Sequence, residues 1–355
     1  MIIKEAKKMK TMRAVVYHGK DDIRLDEVPK PQIQKPTDAI VKVTTTTICG
    51  TDIHIRHGGL PAVKPGTIIG HEFVGVVDEV GSAVTKFKPG DRVAVSCVTQ
   101  CGQCFYCLRQ IYSQCVDGSW IFGYLIDGAQ AEYVRVPYAD MGMHKIPDNL
   151  TDEDVLFVGD ILSTGYFGAE NGEIKPGDTV AVFGCGPVGM CAMLTARLWG
   201  PARILAVDLD EQRTTFAKKQ GIADYSINPA KENPAEVIKS MTDGRGADVC
   251  IEAVGVGPTY EAALAAVRPG GTVSIVGVFE KPQNLPLNEL WIKNIKIHMG
   301  LVNANRIPQL IDLIKEGKIN TSFLITHTLP LNEALKGYDI FEKKIDNALK
   351  VALKP

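Results

Sequence analysis

Two textures of hydrophobic patterning divide the chain. From position 12 to about 145, short β-rich runs at 13–17, 39–45, 73–80, 92–95 and 133–136 are punctuated by Gly and Pro. That spacing predicts a mainly antiparallel, barrel-like domain. Between 177 and 300, apolar β-rich runs at 179–183, 203–207, 247–251, 272–276 and 295–298 alternate with segments of helical character at 187–199, 212–221, 234–242 and 258–267. Strands and helices in alternation predict a doubly wound parallel sheet, so the chain is expected to be α/β. The tail, with 306–315, 331–337 and a final strand at 351–353, is expected to return to the first domain. The 18 uncharged residues at 179–196 have the length of a membrane span. Gly184, Gly186, Pro187 and Gly189 interrupt them midway, so they read instead as a buried strand, a tight turn and a buried helix.

Composition narrows the partners. The chain has 355 residues, 45% hydrophobic and 23% charged, with a formal net charge of −2 and no long run of one sign. Nothing in it favours nucleic acid or an anionic membrane, so a small-molecule partner is expected. Nine cysteines are too sparse for a disulfide framework and favour a reducing compartment. Positions 1–10 are Lys-rich but lack the apolar core of a signal peptide, and a cytoplasmic protein is expected.

Gly184-Cys185-Gly186-Pro187-Val188-Gly189 is a G-x-G-x-x-G that follows an apolar strand and opens a helix. Asp208 closes the next strand nineteen residues after Gly189. In this setting the glycines let the backbone approach a pyrophosphate whose charge meets free N–H groups at the helix start. Asp208 would accept hydrogen bonds from the adenosine ribose and repel a 2′-phosphate, which favours NAD over NADP. Arg213 is the residue that could still accommodate NADP. The competing reading is that Gly186 and Gly189 serve packing alone.

Cys101, Cys104, Cys107 and Cys115 follow C-x2-C-x2-C-x7-C spacing in a polar loop. One tetrahedral Zn²⁺ bound by all four would be a closed structural site with no open position, and an iron–sulfur cluster or a disulfide pair are the alternatives. Residues of zinc-ligand type also stand in three separate pieces: Cys49 in Ile-Cys-Gly-Thr-Asp-Ile-His, His71 in Gly-His-Glu, and Asp160 in Val-Gly-Asp-Ile-Leu-Ser-Thr-Gly. Spacing alone does not group them.

With these motifs in this order, the chain from Met12 onward resembles the zinc-dependent medium-chain alcohol dehydrogenases. The resemblance implies a GroES-like, mainly β catalytic domain (1–164, with a structural-zinc lobe at 97–116), a Rossmann domain (165–302) and a C-terminal return (303–355). It implies two Zn²⁺ per chain. Cys49, His71 and Asp160 would bind the catalytic one, and Glu72 would be an alternating ligand that leaves when substrate arrives. By the same resemblance, Thr51 would hydrogen-bond the substrate oxygen and His54 would relay its proton; read alone, they are a turn hydroxyl and an exposed loop histidine. Thr164 would lie near the nicotinamide, and Trp120 would form a pocket wall. Asp160 and the run Ala139-Asp140-Met141-Gly142-Met143-His144 resemble the bacterial secondary-alcohol branch, whose members often use NADP, so Asp208 departs from that branch. The expected reaction is NAD-dependent interconversion of alcohols with ketones or aldehydes: zinc lowers the pKa of the hydroxyl, and hydride leaves the resulting alkoxide. The alternatives are a polyol or threonine-type dehydrogenase, and a non-catalytic NAD-binding redox sensor. A homotetramer, or a homodimer, is implied as well.

Overall fold

The structure is a computed structural model, and it describes residues 10–355; the Lys-rich opening at 1–9 lies outside the described residues. In chain order the first segment carries β1 (Thr11–Gly19), β2 (Asp22–Pro29), β3 (Ala39–Thr47), α1 (Gly50–Arg56), β4 (Phe73–Val80), β5 (Arg92–Val95), β6 (Val98–Thr99), β7 (Ser119–Trp120), β8 (Tyr133–Val136), α2 (Ala139–Gly142), β9 (Met143–Lys145) and α3 (Asp152–Val155). The middle carries α4 (Ile161–Asn171), β10 (Thr179–Phe183), α5 (Pro187–Ala196), β11 (Arg203–Val207), α6 (Glu211–Lys219), β12 (Tyr225–Ile227), α7 (Pro234–Ser240), β13 (Ala247–Glu252), α8 (Gly257–Ala266), β14 (Val267–Ile275), α9 (Leu287–Leu290) and β15 (Lys296–Met299). The tail adds α10 (Ile307–Lys315), β16 (Ile325–Pro330), α11 (Ala334–Glu342) and β17 (Lys350–Lys354).

Two compact units result, one of Met1–Gly159 with Ala304–Pro355 and one of Asp160–Asn303. The chain thus divides at Gly159 rather than at 164. The residues from Ile161 onward form one continuous helix, and α4 packs along α5 in the second unit.

In the first unit a seven-stranded sheet runs β16-β17-β3-β4-β5-β9, with β8 also paired to β3. Its pairings are antiparallel except β16 with β17, and β1–β2 and β6–β7 form separate two-stranded ladders. Val41, Val43, Phe73, Val77, Val93, Val95 and Phe122 from these strands and the loop after β7 form one buried cluster. The tail docks because its helices are amphipathic: in α10, Ile307, Leu310, Ile311 and Ile314 fall at helical spacing on one buried face. From α11, Ala334 and Tyr338 join Ile48, Ile55 and Ile69 in a second core cluster.

The second unit is a six-stranded parallel sheet in the order β12-β11-β10-β13-β14-β15. The central strand β10 is buried along its whole length, as a strand covered on both faces must be. The expected strand at 272–276 extends back through Pro269-Gly270-Gly271 to Val267, because Val267 pairs with Ala247 ahead of a register shift. The expected helix at 187–199 ends as α5 at Ala196 and tightens into a 3₁₀ turn over Arg197–Trp199, closed by Gly200 at φ +71°. β2, β12 and β16 carry charged or polar residues on their open faces and are strands that the apolar pattern missed.

The far end of α1 is tied down by His57. Its Nδ1 is 2.6 Å from Asp21 Oδ1, in the β1–β2 turn, and its Nε2 is 2.7 Å from Glu342 Oε1, at the end of α11. Hydrogen bonds to Asp21 and Glu342 raise the pKa of His57 above its ordinary 6.5. A raised folded-state pKa adds stability that is fully present below about pH 6.5 and fades as pH rises through the folded value. His57→Gln should therefore lower the thermal midpoint at about pH 5.5 and lower it less at about pH 9; equal losses would rule out the charged bridge.

Candidate active site

Cys49 is the N-cap of α1, and Asp52 occupies the third position of that helix. The Asp52 carboxylate accepts from the Cys49 N–H at 2.8 Å, so the third residue of the helix holds the backbone of the thiol at its N-cap. Asp52 is completely buried. Its Oδ2 also accepts from Gln130 Nε2 at 3.1 Å, and its Oδ1 lies 3.4 Å from His71 Nδ1. The neutral Tyr338 hydroxyl, whose pKa burial pushes well up, donates to Gln130 Oε1 at 2.8 Å. With Nδ1 directed to Asp52, Nε2 is the His71 nitrogen left for a metal.

One ligand atom each from Cys49, His71 and Asp160 lies within 4.8 Å of the others. Asp160 is the residue at which the chain enters the second unit. Thiol, imidazole and carboxyl are the donor types zinc takes, and three of them leave a fourth position for water or substrate. Glu72 stands apart from this trio: its Oε2 accepts from Lys350 Nζ at 2.6 Å. Both side chains are buried, at 0% and 1% exposure, and Lys350 also donates to Ile48 O at 2.9 Å.

Trp120 meets the His71 ring edge to face, with centroids 5.8 Å apart, and stacks on Tyr124 at 4.8 Å with planes 5° apart. The two rings make a flat aromatic wall beside a metal-ligand residue. Thr51 and His54 both sit on α1, three positions apart and so on one side of it, with Thr51 half-buried and His54 exposed. Thr164 lies in the first turn of α4, its N–H bonded to Asp160 O.

The four sulfurs of Cys101, Cys104, Cys107 and Cys115 also lie within 4.8 Å of one another. Cys101 and Cys107 Sγ are 3.9 Å apart, and none of the four is in a disulfide. The thiols differ in acidity. N–H groups of Cys107 and Val116 bring Cys104 down to about 6, whereas burial pushes Cys107 up to about 12. A divalent cation is what allows all four to be thiolates together.

In the second unit Gly184 has φ +101°, and a Cβ on Gly189 would fall 1.8 Å from Gly184 O. Only glycine permits this turn and the approach of α5 to it. Asp208 does more than the sequence suggests: Oδ2 accepts from Cys185 N at 2.6 Å and Oδ1 from Asp210 N at 2.8 Å. Each oxygen keeps a lone pair for a ribose hydroxyl while bracing the turn. Arg213 leans toward Asp210, its Nε 3.7 Å from Oδ2, with its guanidinium beside Gly186. Pro187 and Val188 open α5 at the N-terminal end that would face a pyrophosphate.

Sequence reasoning missed Asp52, Gln130, Tyr338, Lys350 and Tyr124. Only Asp52 carried a local signal, an acid three residues after a potential helix cap.

Residues 35–148 match the family described as alcohol dehydrogenase GroES-like domain, and residues 187–316 match the zinc-binding dehydrogenase family. An uncharacterized zinc-type alcohol dehydrogenase-like protein of Bacillus subtilis is 39% identical over 97% of this chain and 100% of its own length. Among solved structures, zinc dependent alcohol dehydrogenase 2 from Streptococcus pneumonia superposes with TM-score 0.91 at 44% identity, over 97% of this chain and 98% of that one. The alcohol dehydrogenase TADH from Thermus sp. ATN1 has TM-score 0.91 at 41% identity, over 97% and 99%.

The buried Glu72–Lys350 pair yields a stability prediction. Lys350→Met should cost about 3–5 kcal/mol in denaturant unfolding by removing the ammonium that the buried Glu72 carboxylate faces. Adding Glu72→Gln to Lys350→Met should recover most of the loss; a double variant as unstable as the single one would show that the pair is not the source.

Proposed function

The chain belongs to the zinc-dependent medium-chain alcohol dehydrogenases, and from that premise we propose that it is an NAD-dependent enzyme converting secondary or small primary alcohols to ketones or aldehydes. It would hold one catalytic and one structural Zn²⁺ per chain. The observation that carries this reading is the convergence of Cys49, His71 and Asp160, with Trp120 against His71. Zinc held there supplies Lewis acidity that lowers the pKa of an alcohol hydroxyl, and the nicotinamide supplies the hydride acceptor.

The chain's own residues do the rest. Cys49 and Asp160 carry two negative charges against the metal's two positive ones, and a metal-bound His71 adds none, with Asp52 3.4 Å from its ring. Glu72, whose Oε2 is bonded to Lys350, is an alternating ligand that leaves when substrate arrives, which keeps a third negative charge off the metal during turnover. The Thr51 hydroxyl would accept the substrate proton as it passes its own on through the cofactor ribose to His54, which is exposed and would release a proton to water. The Trp120–Tyr124 wall favours apolar substituents, whereas a polyol would leave its hydroxyls facing an aromatic surface. Asp208 favours NAD because its carboxylate repels a 2′-phosphate. The Cys101, Cys104, Cys107 and Cys115 quartet is the structural site.

Nine free cysteines fit a reducing, cytoplasmic setting. Among the described residues no helix is long and apolar enough to cross a membrane. β15 has only β14 as a partner among the described residues, and the exposed Trp291, Ile292 and Met299 lie on or next to it. An open edge of that kind suits pairing with a second copy within a homotetramer.

Turnover of 2-propanol, 2,3-butanediol, sorbitol and threonine, each with NAD and NADP, tests substrate and cofactor together. Activity is expected on 2-propanol with NAD. A preference for sorbitol or threonine would overturn the substrate class, and a preference for NADP would overturn the role of Asp208.

The two metal sites separate by substitution. Cys49→Ala should abolish turnover and remove one zinc by elemental analysis, with the fold retained. Cys104→Ala should remove the other zinc and lower the thermal midpoint. Loss of stability from both variants alike would refute the division.

A further inference from the structure

The second unit contains a buried carboxyl that neither the phosphate turn nor the ribose site uses. Glu252 is the last residue of β13 and is completely buried. Its Oε1 accepts three hydrogen bonds: from Val254 N at 3.0 Å, Gly255 N at 2.9 Å and Thr259 Oγ1 at 2.7 Å. These close the turn from β13 into α8. Its Oε2 has no hydrogen-bond partner and occupies the space where a Cβ on Gly277 would stand, 2.3 Å away. Its main-chain oxygen accepts from Val276 N and Gly277 N, at 2.9 and 3.1 Å. One residue therefore joins the carboxyl ends of β13 and β14.

The turn it closes bears directly on the glycine turn after β10. Val254 is 45% exposed, and its Cγ2 lies 2.4 Å from where a Cβ on Gly184 would be. On the other side of the turn, Gly255 abuts the main chain of Val278, which is 69% exposed. Two exposed valines thus flank the carboxyl edge of a parallel sheet, the edge at which such sheets take their ligands. An apolar side chain would fill the interior at less cost than a carboxyl with an unpaired oxygen. The geometry spends that cost on fixing the turn.

We propose that Glu252 is a positioning residue for the dinucleotide: it sets the Val254–Gly255 turn against Gly184, so that cofactor affinity depends on it. This rests on the reading of the second unit as the nicotinamide dinucleotide site. Burial raises the pKa of Glu252, and an amide oxygen in its place could accept the same three hydrogen bonds.

NADH titrations followed by fluorescence, thermal unfolding and steady-state kinetics on Glu252→Ala, Glu252→Gln and Thr259→Val test it. Glu252→Ala should weaken NADH binding by about tenfold or more and raise KM for NAD by more than it lowers kcat. Glu252→Gln should stay within about threefold of the parent, and Thr259→Val should lose about two- to fivefold. Variants that melt earlier yet bind NADH as the parent does would overturn the proposal and leave a purely structural role. If Glu252→Ala does not fold, Thr259→Val decides, and unchanged affinity there would overturn it equally. A parent enzyme that binds neither NADH nor NADPH would overturn the dinucleotide reading as well, which separates the two failures.

Discussion

A lysine ammonium from the last strand of the chain, buried against the carboxylate of Glu72, is the constraint on which the first unit's site depends. Taking both charges out of water costs several kcal/mol per ion, and only close pairing with additional hydrogen bonds offsets it. Lys350 meets that demand: besides Glu72 Oε2 it bonds Ile48 O, and Phe157 lies beneath its ammonium at 5.6 Å. Ile48 precedes Cys49, and Glu72 follows His71. The ammonium therefore ties together the two segments that carry the first two ligands. This gives a physical reason for β17 to lie between β16 and β3. An apolar pair of similar volume could match the stability, but it would not fix these two segments to one point.

A second network refines what the ion pair fixes. Asp52, Gln130 and Tyr338 run from the N-cap of the ligand helix to α11, with Gln130 also bonded to Thr47 O. The low dielectric around these buried bonds strengthens them. The Cys49 backbone is held by Asp52, Asp52 is held by Gln130, and the other Asp52 oxygen lies 3.4 Å from the His71 ring. An open metal site needs this support because three donors from distant segments do not organise themselves. The cysteine quartet needs far less, since its four donors fall within fifteen residues and its loop supplies its own N–H groups.

That contrast explains what could be read from the chain. β10 and β11 were legible to the residue because burial on both faces makes them continuous apolar runs between turn residues. β2 was not: Asp-Ile-Arg-Leu-Asp-Glu-Val-Pro alternates charges on a half-exposed ladder, and its pairing with β1 supplies what its composition lacks. The cysteine lobe and the glycine turn were legible because their chemistry is local. Cys49, His71 and Asp160 were grouped only by resemblance, because their proximity exists only in the folded chain. Lys350 and Tyr338 carried no signal at all, since a lone Lys or Tyr in an apolar tail reads as surface or core until its partner is known.

The second unit meets a different difficulty. A pyrophosphate needs free N–H groups and positive potential, yet the carboxyl edge of the sheet contains two acids, Asp208 and Glu252. Their geometry resolves this. Asp208 turns both oxygens to main-chain N–H groups of neighbouring turns, and Glu252 directs three donors onto one buried oxygen. Neither presents an uncompensated charge to the phosphate path; each converts its hydrogen-bonding capacity into rigidity of the loops that frame it. Mutating an acid near this edge therefore changes loop order before it changes electrostatics. Any contact that Asp208 makes with a ribose is inseparable from the shape of the turn that Asp208 itself maintains.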